Sequence, residues 1–147
     1  MFRSIVVGTD GSETAGKAVD AAVELARLCD APLDVVSAYE PVPKGRLHEA
    51  ARQAPDDTQW MINPREDVDA TLSQAAERVR DAGVEVDTFA REGDPADAIL
   101  DVAEERDADL IVVGNKGTSG ARRFLLGSVP NRVSHYAPCS VLIIRTT

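Results

Sequence analysis

The segment GNKGTSGARRFLLGS, residues 114–128, sets Gly114, Gly117 and Gly127 among Lys116, Arg122 and Arg123 and ends on the hydroxyl of Ser128. It follows directly on an apolar run, LIVV, at 110–113. Glycines let a main chain approach a phosphate closely and aim successive N–H groups at it. At the end of a strand a glycine is also expected to turn the chain through positive φ. A Gly-Ser pair that opens a helix adds the positive end of the helix dipole. Ser128 can offer its hydroxyl and, together with Val129, a backbone N–H. Pro130 has no N–H to give, which matters little in a first helical turn. Lys116 is the best-placed cation, whereas Arg122 and Arg123 also read as solvated surface charges. The chemistry implied is anion binding.

A second cluster, GTDGS at residues 8–12, follows the first apolar run. A carboxylate beside a phosphate repels it unless it binds ribose hydroxyls or a divalent cation, so Asp10 is the candidate for ribose and for magnesium reached through the phosphates. The alternative for Asp10 is a turn aspartate or helix cap. His48 and His135 have no carboxylate or cysteine at ligand spacing, and Cys29 and Cys139 give neither a disulfide framework nor a metal pattern.

Charge narrows the choice of anion. The chain has 16 Lys and Arg against 25 Asp and Glu, a formal net charge of −9, which argues against nucleic acid as a partner because phosphate neutralisation needs a basic footprint. Every acidic residue lies at or before Asp109, while the rest of the chain carries Lys116, Arg122, Arg123, Arg132 and Arg145. A local anion site competes here with a plain solvated basic face. No apolar run is long enough to span a membrane and no signal-peptide pattern opens the chain, so no membrane partner and a cytoplasmic location are expected.

The elements that must position these residues alternate. SIVVGT at 4–9 reads as a strand, followed by a helix with Ala15, Ala18, Val19, Ala22, Leu25, Ala26 and Cys29 on one face. PLDVVSA at 32–38 is a second strand, and a long loop spans 39–62, a length usually reserved for lids or mobile segments. Asn63 as N-cap and Pro64 behind it start a second helix that Gly83 stops. VEVDTFA is the third strand, Asp94 caps a third helix, ADLIVVG is the fourth strand, a short helix covers 128–136, and SVLIIR is the fifth strand. The 147 residues, 44% of them hydrophobic, suffice for a single domain, 1–147. The expected fold is α/β and Rossmann-like: a single open five-stranded parallel sheet with helices on both faces. Ligands of such sheets bind beyond the carboxyl ends of strands where the winding reverses. Only the ends of strands one and four carry chemistry, so these two should lie side by side.

Gly114-x2-Gly117-x9-Gly127-Ser128 resembles the ATP-binding signature of the nucleotide-binding branch of the universal stress protein family. VVGTDGS near the start and PCSVLII near the end are similar to that family's first and last strands. The resemblance implies a sheet ordered 3-2-1-4-5, an adenine nucleotide between strands one and four, and a dimer. It matches Asp10 to the ribose and metal position and Gly114, Gly117, Gly127 and Ser128 to the phosphate loop. Val36 and Ala38 match the place where main-chain groups hold adenine. GNKGTSG and GSVP also resemble the branch in which some members prefer cyclic AMP, while Pro130 departs from the commoner pattern.

With that order the fifth strand is an edge, and Val141, Leu142, Ile143 and Ile144 leave it apolar on both faces, so a homodimer through this strand is expected. A Walker-type ATPase needs Gly-x4-Gly-Lys-[Ser/Thr], which is absent from the sequence. GTDGS is a faint echo of the loop of an adenylating pyrophosphatase. Slow ATP hydrolysis or self-phosphorylation needs only a positioned water, but no second carboxylate or histidine is placed as its base. The function expected is that of an ATP-binding stress-response regulator or nucleotide sensor. The alternatives are AMP or cyclic AMP as ligand, or a slow ATPase or autophosphorylating enzyme.

Overall fold

The computed structural model describes residues 1–40, 65–115 and 126–146. Its elements in chain order are β1 (Ile5–Gly8), α1 (Glu13–Cys29), β2 (Leu33–Tyr39), α2 (Arg65–Asp81), β3 (Val86–Glu92), α3 (Pro95–Glu105), β4 (Leu110–Gly114), α4 (Ser128–Tyr136) and β5 (Ser140–Ile144). All paired strands are parallel and the order is β3-β2-β1-β4-β5, as the resemblance implied. Of the loop expected over 39–62, Tyr39 is instead the last residue of β2, paired with Glu92, and 41–62 lie outside the described residues, as do His48 and the Asn63 and Pro64 expected to open α2.

Strand alternation splits the core into two layers. Ile5, Val7, Leu33, Val35, Leu110 and Val112 pack with α1 and α2 on one face. Val6, Val36, Ala38, Ile111 and Val113 pack with α3 and α4 on the other. β1, β2 and β4 read as nearly continuous apolar runs because both of their faces are covered, which is the signature of central parallel strands. The helices supply matching stripes: Ala15, Ala18, Val19, Ala22, Val23 and Ala26 on α1, and Ala96, Ala98, Ile99, Val102 and Ala103 on α3.

Two carboxylates hold the amino edge of the sheet, away from the glycine segments. Asp109 accepts hydrogen bonds from the backbone N–H groups of Arg3 and Ser4. Desolvation alone would raise its pKa, but those bonds together win and hold the carboxyl below the ordinary aspartate value. Asp34, on β2, is 3% exposed. Burial pushes its carboxyl up, against the Arg106 guanidinium 3.2 Å away, and Asp87 adds to the rise. Burial, with the Asp109 carboxylate behind it, also raises the Cys139 thiol, so this half-buried cysteine stays protonated.

Candidate functional site

β1 and β4 are hydrogen-bonded neighbours, pairing Ile5 with Leu110, Val6 with Ile111 and Val7 with Val112. Their carboxyl ends, Gly8 and Gly114, therefore leave the sheet side by side, and the two sequence clusters meet at one edge. The turn expected at Gly114 does not occur there. Gly114 is still a strand residue, paired with Ile144, and among the described glycines positive φ is confined to Gly11, Gly83 and Gly93.

After β1 the chain turns at Gly11, with φ of 82°. A Cβ on Gly11 would come within 2.6 Å of Thr71 Oγ1 on α2, so conformation and space both exclude a side chain. The turn bonds to itself. Gly11 N–H donates to Thr9 Oγ1 at 3.1 Å, and Ser12 N–H donates to Asp10 Oδ1 at 2.9 Å. Ser12 then caps α1, its Oγ accepting from Ala15 N–H at 3.1 Å. Asp10 is thus a turn aspartate through one carboxylate oxygen, and the residue is exposed at the mouth of the crevice. At Gly8, two residues before Asp10, a Cβ would collide with the Ile99 side chain.

On the β4 side, Gly127 N–H donates to the Asn115 carbonyl at 2.8 Å, which brings the start of α4 back to the residue after Gly114. Gly127 is the N-cap of α4, with φ −63° and ψ 166° and no side chain to cap the first turn. Its glycine identity is therefore not required by a left-handed backbone. Ser128 and Val129 head the helix with their N–H groups in the uncapped turn, Pro130 contributes none, and Asn131 N–H returns to the Gly127 carbonyl at 3.1 Å. An α-helix start of this kind attracts anions through its N–H groups and dipole. Lys116 and Gly117 lie outside the described residues, as do Arg122 and Arg123.

β2 forms the third side. β1 ends opposite Val36, and the last rung is Thr9 N–H to the Val36 carbonyl at 3.0 Å. N–H and C=O of one residue point to the same side of a strand and alternate along it. Those of Ala38 therefore point as Val36's do, past the end of β1. The side chains of both residues are buried under α3, so only main-chain groups of Val36 and Ala38 can address the crevice.

Sequence reasoning missed Asn115, whose side chain accepts from the Thr146 N–H and hydroxyl, and Lys17, whose Nζ reaches the Thr146 carbonyl. Asn115 stands inside the glycine motif, but nothing in the sequence couples it to a threonine near the far end of the chain. Among the described residues no three His, Cys, Asp or Glu side chains converge as a metal centre, and no helix is long and apolar enough to cross a membrane.

The comparisons with known proteins agree with this architecture. The model of the universal stress protein family matches residues 1–145. A universal stress protein of Mycobacterium tuberculosis (strain H37Rv) is 41% identical over 149 residues, covering 99% of this chain and 98% of the relative. One from Bacillus subtilis is 35% identical over 156 residues, covering 99% of this chain and all of the relative. A universal stress protein solved in complex with cAMP superposes with a TM-score of 0.74 at 33% identity, over 99% of each chain. Another, from Archaeoglobus fulgidus in complex with dAMP, gives 0.68 at 29% identity, over 97% of this chain and 98% of the other. With the family model spanning nearly its whole length, this chain belongs to the universal stress protein family.

Proposed function

We propose that this chain binds an adenine nucleotide, with ATP as its ligand, and works as a nucleotide sensor or regulator in the stress response. The observation that carries the reading is the uncapped first turn of α4, set one hydrogen bond from the end of β4 and beside the end of β1. In this reading the phosphates take the N–H groups of Ser128 and Val129 and the Ser128 hydroxyl, approached across the bare backbone of Gly114 and Gly127. Gly117 and Lys116 belong to the same loop by sequence. Asp10 keeps one oxygen in its turn and turns the other to ribose hydroxyls or to a magnesium ion that the phosphates carry. Main-chain groups of Val36 and Ala38 receive adenine. The cAMP and dAMP complexes of structural neighbours support an adenine ligand.

Cyclic AMP is the second reading, and Pro130 favours it. With a proline at the third helical position the first turn offers two N–H groups, enough for one phosphate and few for three. Mass spectrometry of the nucleotide released from purified protein by denaturation separates ATP, AMP and cyclic AMP in one experiment. ATP is expected. Failure of the protein to retain or bind any adenine nucleotide at low salt would sink the reading, and ADP accumulating from added ATP would move it toward the slow ATPase.

The same reading takes β5 as a dimer strand. It is a sheet edge, and its Val141 and Ile143 pack toward one core layer while Leu142 and Ile144 pack toward the other, leaving no polar face to the strand. The opposite edge, β3, carries Asp87, Arg91 and Glu92, charges that discourage strand addition. A two-fold pairing of β5 with its mate would satisfy the open ladder without further growth. Sedimentation velocity should show a dimer, and Ile143→Pro should shift it to monomer by removing a ladder N–H. A monomeric parent protein at micromolar concentration would refute the pairing.

A further inference from the structure

We infer that Asn115 is a positioning residue for the nucleotide, coupling the phosphate-side helix start to the carboxyl-terminal tail; this rests on the nucleotide reading above. Asn115 uses its main chain and its side chain for different tasks. Its carbonyl accepts Gly127 N–H at 2.8 Å and so fixes where α4 begins. Its own N–H donates to the Ile144 carbonyl at 2.8 Å, the last rung between β4's exit and β5. Its Oδ1 accepts both the Thr146 N–H, at 2.8 Å, and the Thr146 hydroxyl, at 3.0 Å.

Thr146 is 3% exposed, so its donors have no water to turn to if Oδ1 leaves them. The Thr146 carbonyl accepts from Lys17 Nζ, 3.2 Å away on α1, the helix whose start forms the other wall of the crevice. A continuous set of hydrogen bonds thus runs from α1 through the tail and Asn115 to Gly127. In this proposal the side chain of Asn115 acts through the tail. It holds the peptide whose carbonyl sets the Gly127 N–H, and hence the direction of the Ser128 and Val129 N–H groups that follow.

Reciprocity gives the test a readout that a merely structural role would not move. If tail anchoring favours the binding geometry, binding must in turn favour tail anchoring. The experiment is calorimetric titration of ATP and of cyclic AMP into the full chain, Asn115→Ala, Thr146→Val and Thr146→Ser, joined to amide hydrogen exchange at Gly127 and Thr146. Loss of the Oδ1 acceptor in Asn115→Ala should weaken binding about tenfold, and loss of the hydroxyl donor in Thr146→Val about threefold. Thr146→Ser keeps both donors and should bind as the parent does. Nucleotide should slow exchange of the Thr146 amide in the parent and fail to do so in Asn115→Ala. Should Asn115→Ala not fold, the two Thr146 variants and the parent's exchange carry the same test. A parent that binds while the folded variants bind equally well, with Thr146 exchange indifferent to ligand, overturns the coupling and leaves the nucleotide reading intact. A parent that binds neither nucleotide overturns both.

Discussion

α1 and α4 start at neighbouring places, one just beyond β1 and the other tied to the end of β4, yet only the first has a side-chain cap. The approach to α1 consumes its own donors: Thr9 takes the Gly11 N–H, Asp10 the Ser12 N–H and Ser12 the Ala15 N–H. α3 is closed in the same manner, Asp94 accepting from Ala96 and Asp97. α4 has glycine at that position and leaves its first turn without a side-chain cap. A cap contributes about 1 kcal/mol of stability. Under the proposal, the helix start that forgoes one keeps its N–H groups for the phosphate. In the proposed reading, the crevice has one wall that supports and another that binds.

The sharpest way to break that contrast is to cap the second wall. Gly127→Asp would give α4 an acidic N-cap, able to accept from Val129 but not from Pro130, and place a carboxylate where a phosphate should sit. Losing two charge-assisted hydrogen bonds of about 1.5 kcal/mol each would weaken nucleotide binding roughly a hundredfold. Thermal stability should stay level or rise by a few tenths of a kcal/mol, since Asp is at least as good an N-cap as Gly. Calorimetry beside a melting curve checks both halves, and undiminished affinity would contradict the role given to α4.

Damage to the supporting wall should appear first in the fold. Gly11→Val forces a β-branched residue to a φ of 82° and against Thr71, and should destabilise the chain by about 2 kcal/mol in chemical denaturation. Ser12→Ala removes the α1 cap and the hydroxyl contact with Thr14. It should lower stability by about 1 kcal/mol and leave nucleotide affinity within about twofold. A large affinity loss with intact stability in Ser12→Ala would mean that the two walls do not divide the work as described.

The smallest effect falls outside the crevice and serves as a control. The Asp109 carboxyl is held below its ordinary value by the Arg3 and Ser4 N–H groups, so the fold prefers its ionised form. That contribution is present above the unfolded-state pKa of about 3.9 and is lost as pH falls through the lower folded value. Asp109→Asn should therefore make stability less dependent on pH below about 4, read by urea midpoints, without changing nucleotide affinity at neutral pH. Asp34 has the opposite sign: its raised pKa makes the fold prefer the protonated form, a contribution lost as pH rises through the folded value. Asp34→Asn should thus lose less stability, relative to the parent, at neutral pH than at pH about 4.

Much of this organisation was legible in the sequence because the physics behind it is periodic or local. The apolar runs of β1, β2 and β4 announced covered strands, Asp94 with Pro95 announced a helix start, and α4 begins and ends where its pattern placed it. Strand boundaries slipped by one or two residues at all five strands, because pairing, set by neighbours distant in sequence, decides where a strand stops. The left-handed turn expected at Gly114 lies instead at Gly11, since β5 runs far enough to keep Gly114 in the sheet. Asn115 and Thr146 were invisible for a related reason: a hydrogen bond across 31 residues leaves no local mark.

The central claim is that phosphate meets the uncapped turn of α4, and amide NMR of the full chain titrated with ATP and magnesium tests it most directly. The account predicts that the largest shift changes fall on the Ser128 and Val129 amides, with smaller ones at residues 10–12 and at Ala38. Changes that leave Ser128 and Val129 unmoved while ATP binds elsewhere would contradict it.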